Sequence, residues 1–177
     1  MDARLAIASK RDHRDFDPRP IPREVLDRIL DAGRLAGSAR NRQPWRFFVA
    51  DDPGGRAGLA RCVYVPRTVS TAAVAVAIAV RLGGSALGGF DAGRAAQNMM
   101  IAAWSEGVAS CPNGIADGDA ARAALAVDGD ETPLIVVSLG YPAHPRDPAR
   151  RTADEWSARA ARFALDRFVV MLSKAAP

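Results

Sequence analysis

Three polar residues follow one another closely between a predicted helix and a predicted strand. Ser38, Asn41 and Gln43 lie in the run GSARNRQPW at residues 37–45. Hydroxyl and amide groups on such a connection can hold a ligand by hydrogen bonds. The alternative is an ordinary loop whose Ser and Asn side chains cap their own backbone. The run by itself favours the ordinary loop, and a second segment changes that balance.

The second segment is basic and precedes the polar run by one predicted helix. It has the sequence KRDHRDF at residues 10–16, in which Lys10, Arg11 and Arg14 surround Asp12. In this order and at this spacing, the two segments resemble the paired RRSxRxF-like and PSxxNxQPW elements of the nitroreductase family of FMN flavoenzymes. This pair is the specific part of the resemblance, and it implies FMN as the cofactor.

Two later segments also resemble the family. Residues 90–100, FDAGRAAQNMM, look like the start of its central helix, which leads into a Gly-rich turn at residues 107–114. In the family this turn passes close to the flavin, so the resemblance makes Asn113 and Gly114 candidates for contact. Residues 134–142, LIVVSLGYP, resemble the late strand that ends in a Gly-Tyr-Pro corner in short members.

The resemblance also implies what each group of residues does. A phosphate monoester carries up to two negative charges, so charge-assisted hydrogen bonds to the FMN phosphate are expected from Lys10, Arg11, Arg14 and Arg150. Contacts to the ribityl hydroxyls and the ring edge are expected from Ser38, Asn41 and Gln43. In the family NAD(P)H reduces FMN and leaves, and a nitroaromatic, quinone or similar acceptor then enters the same pocket. The flavin carries the electrons, so we expect no catalytic residue from the protein.

The two elements depart from the family pattern at two places. Asp12 stands where Ser is common, and a carboxylate beside a phosphate is repulsive unless it turns towards a ribityl hydroxyl or a neighbouring Arg. Gly37 replaces the usual Pro. The chain has no Asn between Arg61 and Ser70, where longer relatives often supply one, and it is short at residues 80–90. We therefore expect a more open substrate pocket.

A framework of helices and strands must position these residues. A helix is predicted after Pro22, a strand at residues 45–50, a buried strand at residues 72–82 and a packed helix at residues 92–108. Residues 83–89 are predicted to be a mobile connection, and Met99, Met100 and Trp104 to be core. With the resemblance, these elements indicate an α+β, nitroreductase-like FMN-binding fold: a central, mostly antiparallel sheet flanked by helices, in a single domain of residues 1–177.

A capping box predicts a last helix near the end of the chain. The pattern begins at Thr152, and the helix is expected to place Trp156, Ala160, Phe163, Ala164 and Val170 on one face. Arg150 and Arg151 come immediately before this helix, where guanidinium and free N–H groups favour an anion. Exposed arginines without a ligand are an equal alternative. The resemblance favours the FMN phosphate, and Arg150 aligns better than Arg151.

Apolar residues exceed what one thin layer would bury. The region from Met99 to Trp104 is apolar nearly all round, and the last helix adds Trp156, Phe163, Phe168 and Val170. We therefore predict a homodimer with the flavin at the subunit interface. The resemblance implies that Ser38 and Asn41 reach the partner's FMN.

Composition excludes several other classes of protein. The 24 basic and 20 acidic residues are interleaved, which argues against nucleic-acid binding. The longest apolar run, residues 72–80, is shorter than the roughly 20 residues of a membrane helix, and no signal peptide or His/Cys metal cluster is present. With only two cysteines, a reduced, soluble and cytoplasmic protein is the expectation.

Three alternatives to the main hypothesis stay open. Cys111 could be a catalytic thiol, although His13 and His144 offer few partner bases and a structural cysteine is favoured. The protein could bind FMN without turnover, as a flavin store or sensor. Within the enzyme class, it could use a deazaflavin or cleave FMN, as some relatives of the fold do.

Overall fold

The computed structural model describes residues 1–81 and 87–172. These residues form two compact units: one is Lys10–Arg146, and the other combines Met1–Ser9 with the described part of Asp147–Pro177. In chain order, the helices and strands are α1 (Ala3–Ser9), α2 (Arg23–Arg34), β1 (Trp45–Ala50), α3 (Pro53–Ala60), α4 (Pro66–Ser70), β2 (Val74–Arg81), α5 (Gly88–Ser105), β3 (Ala109–Gly114), α6 (Gly118–Leu125), β4 (Glu131–Gly140) and α7 (Ala153–Ala158).

The Lys10–Arg146 unit is built on a sheet. Within its described residues, four antiparallel strands lie in the order β1-β2-β4-β3. The central strands β2 and β4 are nearly continuous apolar runs, as expected where both faces of a sheet are covered. β1 has the predicted bounds, and β2 lies within the strand predicted at residues 72–82. The predicted α+β fold, with an antiparallel sheet flanked by helices, is confirmed.

Helices α2 and α5 pack on one face of this sheet. The core between them includes Ile29 of α2 and Met99 of α5, both fully buried. Gly33 allows the close approach of the helices, because a Cβ there would overlap the Met99 side chain. The core residues predicted for α5 are all buried: Met99, Met100 and Trp104.

The opposite face of the sheet is covered by shorter helices. Leu59 of α3 and Val69 of α4 pack against Ala77 and Val136 in a second apolar cluster, and Leu125 of α6 lies at its border. The sheet therefore has a helical layer on each side. The connecting segments lie at the two ends of the sheet and beside its edge strand β3.

A buried carboxylate ties three strands together. Glu131 begins β4 and is 1% exposed. Arg46 of β1 donates from Nη1 to both carboxylate oxygens, at 2.9 and 2.8 Å, and Arg81 of β2 donates from Nε to Oε1 at 3.0 Å. These hydrogen bonds, led by those of Arg46, hold the pKa of Glu131 below its usual value. The charged cluster therefore joins β1, β2 and β4.

The prediction of a Gly-rich turn at residues 107–114 is wrong for most of that range. The turn is confined to the residues around Gly107, which has a φ of 75°, and β3 begins at Ala109. Residues 109–114 pair along β4. Asn113 and Gly114 therefore lie at the end of a strand and not on a turn.

The second unit contains α1 and α7. The capping box predicted at Thr152 is present and begins α7. The prediction that this helix continues to Val170 is wrong, because it ends at Ala158. Ala161 has a left-handed φ of 50°, and a 3-10 helix follows at Leu165–Arg167. Three apolar residues predicted for one helix face are exposed outside the helix: Phe163, Ala164 and Val170.

Most of the connection predicted to be mobile, residues 83–86 of 83–89, lies outside the described residues. Its last two residues, Gly88 and Gly89, begin α5 instead.

Candidate functional site

The basic segment lies beside the ends of β3 and β4. Asp12 forms a parallel bridge with Ser110, and the His13 N–H donates to the Ser110 carbonyl at 3.1 Å. Phe16 bridges Pro142 and lies against Gly140, where a Cβ would come within 2.8 Å of its ring. Backbone pairing and one aromatic anchor therefore fix the position of residues 10–16.

Lys10 and Asp12 form an ion pair within the basic segment. Lys10 Nζ contacts Asp12 Oδ1 and lies 3.6 Å from the Met100 sulfur of α5. The Lys10 side chain is 10% exposed, whereas that of Asp12 is 43% exposed. Asp12 thus turns towards a neighbouring cation, which removes part of its repulsion for an anionic ligand.

The two arginines of the basic segment differ in their partners. Arg11 donates from Nη1 to the Lys10 carbonyl at 2.7 Å. Arg14 is exposed, and it makes no hydrogen bond or ion pair with any residue that the structure describes. Three cations and two carboxylates therefore share this short segment; Asp15 pairs with Arg67 at 3.1 Å, and the Arg14 guanidinium is available to a ligand.

His13 points to the α5 side of the basic segment. Its ring stacks on Trp104 at 5.9 Å between centroids, with 28° between the planes. Within the described part of the chain, its buried Nε2 has no hydrogen-bond partner, and neither has the buried Oγ of Ser110. Burial, together with the charges of Arg146 and Lys10, lowers the pKa of His13, and Asp12 opposes this effect.

The polar run contains a short 3-10 helix at Ala39–Asn41, and its polar side chains make hydrogen bonds within the run. Ser38 Oγ accepts the Gln43 N–H at 2.8 Å, and the Gln43 amide donates to Asn41 Oδ1 at 3.3 Å. The Ala39 N–H donates to the buried Asp91 of α5 at 3.3 Å. These bonds are those of the ordinary-loop alternative, while the side chains of Asn41 and Gln43 remain exposed for a ligand.

A cleft of about 390 Å³ lies between this run and α5. The Arg94 side chain fills the space that a Cβ at Gly37 would occupy, and its guanidinium lies 5.6 Å from the Phe90 ring centre. A Cβ at position 37 would displace only the guanidinium end of the flexible Arg94 side chain.

The basic segment and the polar run contact different ends of α5. Lys10 lies against Met100, whereas Ala39 bonds to Asp91. Nine residues of helix separate Asp91 from Met100, which is about 13 Å of helical rise. The structure thus brings Lys10, Asp12 and Arg14 together in one segment, and Ser38, Asn41 and Gln43 in another.

Asn113 and Gly114 offer different chemistry at the end of β3. Asn113 is 4% exposed, and its amide nitrogen lies 2.9 Å from the Cys111 carbonyl, 3.1 Å from the Val136 carbonyl and 2.9 Å from Ser138 Oγ. Its amide protons are therefore used inside the sheet. Gly114 is exposed and presents its backbone.

Tyr64 stands beside Gly114, and sequence reasoning missed it. The Tyr64 N–H donates to the Gly114 carbonyl at 3.2 Å, and its ring carbons lie 3.3 and 3.5 Å from the position of a Cβ on Gly114. The ring is 73% exposed. Its signal in the sequence is that it is the one aromatic residue between Arg61 and Ser70, the stretch in which longer relatives often supply an Asn.

Both cysteines are free and buried. Burial raises the pKa of the Cys111 thiol, and the charge of Asp12 adds to this shift. A protonated, shielded thiol is a poor nucleophile. The geometry therefore favours the structural interpretation of Cys111 over the catalytic one.

Arg150 and Arg151 belong to the other unit, where they precede α7 as predicted. Arg150 ends a 3-10 helix at Pro148–Arg150, and its Nε lies 4.0 Å from Asp147 Oδ2. The Arg151 guanidinium lies 4.9 Å from the Trp156 ring centre. Their role towards a phosphate stays a prediction.

The sequence and the fold have known counterparts. The model of the Nitroreductase family matches residues 7–72 and 71–141. A protein of Methanothermobacter thermautotrophicus, provisionally named an NADH dehydrogenase/NAD(P)H nitroreductase, is 28% identical in an alignment 169 positions long that covers 88% of each chain.

Two solved structures extend the comparison to the fold. A nitroreductase family protein of Clostridium difficile 630 superposes with a TM-score of 0.84 at 21% identity, over 98% of this chain and 99% of the other. An FMN-dependent nitroreductase of Clostridium difficile R20291 has a TM-score of 0.77 at 22% identity, over 89% and 96%. No helix among the described residues is long and apolar enough to cross a membrane.

Proposed function

Because the chain belongs to the nitroreductase family of oxidoreductases, we propose that it binds FMN and transfers electrons from NAD(P)H to a small acceptor. The acceptor class is a nitroaromatic, a quinone or a similar molecule. The observation that carries this proposal is the basic segment beside the edge strand β3, in which the guanidinium of Arg14 has no partner among the described residues.

The residues present fit the phosphate end of FMN. Lys10, Arg11 and Arg14 are held in one segment, and both of its carboxylates have cationic partners, Asp12 with Lys10 and Asp15 with Arg67. A phosphate monoester carries up to two negative charges, which three nearby cations can match. Arg150 and Arg151 are proposed as further phosphate ligands from the end of the chain.

The uncharged part of FMN is assigned to two other groups. Ser38, Asn41 and Gln43 are proposed to bind the ribityl chain and ring edge, with Ser38 and Asn41 acting across a dimer interface. Asn113 and Gly114 are proposed beside the ring, and the exposed backbone of Gly114 suits this better than the internally bonded amide of Asn113.

The protein's own contribution is binding and orientation. When bound, FMN accepts an electron pair from NAD(P)H and passes it to the acceptor. The basic segment fixes the phosphate, and the exposed Tyr64 ring beside Gly114 provides a flat surface for an aromatic molecule. We assign no acid, base or nucleophile.

Turnover distinguishes this function from a flavin store or sensor. We expect NAD(P)H to bleach the visible absorbance of the bound flavin under anaerobic conditions, and a quinone or nitroaromatic to restore it. Because one pocket serves donor and acceptor in turn, double-reciprocal plots should give parallel lines. If reduced nicotinamide never bleaches the flavin, the store or sensor becomes the better description. If extracted chromophore is a deazaflavin, or if FMN is consumed, the alternative enzyme classes apply.

We also propose a homodimer, based on the part of the predicted apolar set that is exposed. Met99, Met100, Trp104 and Trp156 are buried within the chain and leave no surplus. Seven of the exposed large apolar residues are close in sequence near the end of the described chain: Phe163, Leu165, Phe168, Val169, Val170, Met171 and Leu172. So dense an exposed apolar stretch is typical of an interface.

An obligate dimer would bury on the order of 2,000 Å² or more, and its flavin affinity would depend on association. Light scattering of the flavin-loaded protein at micromolar concentration should therefore give the mass of two chains. A stable FMN-loaded monomer would exclude the interface and the assignment of Ser38 and Asn41 to the partner's flavin.

A further inference from the structure

His13 is the imidazole of the basic segment, and its side chain is partly buried against α5. Its imidazole stacks on Trp104 of α5, and its main chain bonds to Ser110 of β3. Its buried Nε2 has no hydrogen-bond partner among the described residues. The adjacent buried Oγ of Ser110 has none either. The ring therefore carries a buried nitrogen without a partner among the described residues, within the electrostatic influence of Lys10 and Asp12.

The charges around His13 oppose its protonation in the absence of an anion. Arg146 and Lys10 repel a proton on the ring, and Asp12 is the carboxylate that attracts one. The contacts from α5 and β3, made by Trp104 and Ser110, carry no charge. Burial acts in the same direction as the two cations, so the pKa of His13 lies below its usual value. The imidazole is thus neutral at neutral pH.

We propose that His13 couples the binding of a phosphate monoester at the basic segment to the uptake of a proton. This inference rests on the proposed FMN site and adds a regulation to it. A phosphate held by Lys10, Arg11 and Arg14 brings up to two negative charges next to cations that now disfavour a charged imidazole. The positive potential at the ring falls, and the protonated ring becomes easier to form.

Linkage fixes the sign of the effect. If the bound ligand raises the proton affinity of His13, then protonated His13 raises the affinity for the ligand by the same factor. FMN should consequently bind more tightly below the His13 pKa than above it. For charges that are separated by several ångströms near a protein surface, a change of about threefold to tenfold is expected.

Binding to the apoprotein tests this directly. The Kd of FMN is measured between about pH 5 and pH 8, the range in which a histidine titrates, for the natural chain and for His13→Phe. Phenylalanine keeps the stack on Trp104 and cannot titrate. The ionisation of the FMN phosphate is common to both proteins and cancels in the ratio of their Kd values. We expect this ratio, variant over natural chain, to be about three to ten at low pH and to approach one at high pH.

Two controls isolate the phosphate and the residue. Riboflavin has the same ring and ribityl chain without the phosphate, so its ratio should stay near one at every pH. His144 is exposed and is the second of the two histidines in the chain, so His144→Asn should leave the FMN profile unchanged.

The two histidines also permit a direct titration. Each gives one imidazole Hε1 signal in a proton NMR spectrum, and His144→Asn identifies them. Addition of FMN should move the titration of His13 to higher pH and leave that of His144 in place. If FMN binds but neither the Kd ratio nor the His13 titration changes, this inference is wrong and the proposed function stands. If FMN does not bind at any pH, both fall together.

Discussion

Replacing Arg14 by alanine is expected to weaken FMN binding by about 1 to 3 kcal/mol, which is roughly fivefold to 150-fold in Kd. The guanidinium is exposed and without a partner among the described residues, so a charge-assisted bond to the phosphate is the interaction that its removal would cost. For the same reason the fold should be unaffected. A flavin fluorescence titration of the apoprotein measures the change.

Arg19 provides the matched control. Its guanidinium lies 3.6 Å from the Tyr141 ring centre, just beyond the same segment. Arg19→Ala removes one positive charge but no proposed phosphate contact, so FMN affinity should change less than about twofold at physiological salt. Equal losses of FMN affinity in the two variants would indicate that Arg14 acts only through its contribution to the overall positive charge. An unchanged Kd in Arg14→Ala would remove Arg14 from the site.

Replacing Glu131 by glutamine is expected to lower the free energy of unfolding by about 2 to 3 kcal/mol. Loss of one partner from a fully buried ion pair costs about 3 to 5 kcal/mol. The side chains of Arg46 and Arg81 are 55% and 61% exposed, so water can solvate them after the substitution, and we expect a smaller loss. Urea unfolding followed by circular dichroism at neutral pH measures it.

The same residue gives a pH dependence with a defined sign. The pKa of Glu131 is lowered in the folded state, chiefly by the hydrogen bonds from Arg46. Its contribution to stability is therefore complete above the unfolded pKa, about 4.3, and is lost as the pH falls through the folded value. The difference in stability between the natural chain and Glu131→Gln should be constant near neutral pH and should shrink in acid.

Asp130→Asn is the control for Glu131→Gln. Asp130 precedes Glu131, and its carboxylate lies 3.5 Å from Arg81 Nε but is 64% exposed. Exposed ion pairs contribute about 0 to 1 kcal/mol, so this variant should unfold almost as the natural chain does. If Asp130→Asn and Glu131→Gln lost the same stability, burial of Glu131 would not explain the effect.

Local sequence patterns correctly predicted the elements that are stabilised by residues close to one another in the chain. The run from Trp45 to Ala50 is aromatic and β-branched, and the structure has a strand with those bounds. The capping box at Thr152 needs contacts within a single turn, and it is present.

The strand at residues 109–114 could not be predicted from its local sequence. Its Pro, Asn and Gly residues are typical of turns, yet pairing with β4 makes it a strand. Pro112 is tolerated because β3 is an edge strand. The Ser110 carbonyl faces the outer side, and Pro112, two residues on, directs its missing N–H the same way.

The predicted extension of the last helix to Val170 was wrong because, within the described part of the chain, contacts with distant residues are missing there. The apolar spacing up to Val170 fits a helix, but α7 ends at Ala158 and the later apolar residues are exposed. Short amphipathic helices depend on a surface to pack against. The described unit offers none to residues 163–172, and the spacing of a sequence does not reveal that.

The same difference between local and distant contacts applies to the candidate site and to the Glu131 cluster. The polar run and the basic segment were visible as motifs, whereas three other features depend on partners far away in the chain. His13 requires Trp104, Tyr64 requires Gly114, and Glu131 requires Arg46. None of these pairs has a local signature, so only the folded chain reveals them.

The left-handed backbone of the polar run has a consequence for protein engineering. Arg40, Asn41 and Gln43 have φ values of 55°, 55° and 48°, a conformation that costs a non-glycine residue on the order of 1 kcal/mol or more, least for Asn. Glycine adopts it freely, so a selection for heat resistance alone would enrich glycine at positions 40 and 43. Such a selection would therefore replace Gln43, which is proposed to bind FMN. Thermostabilised variants should therefore be made with this run held constant.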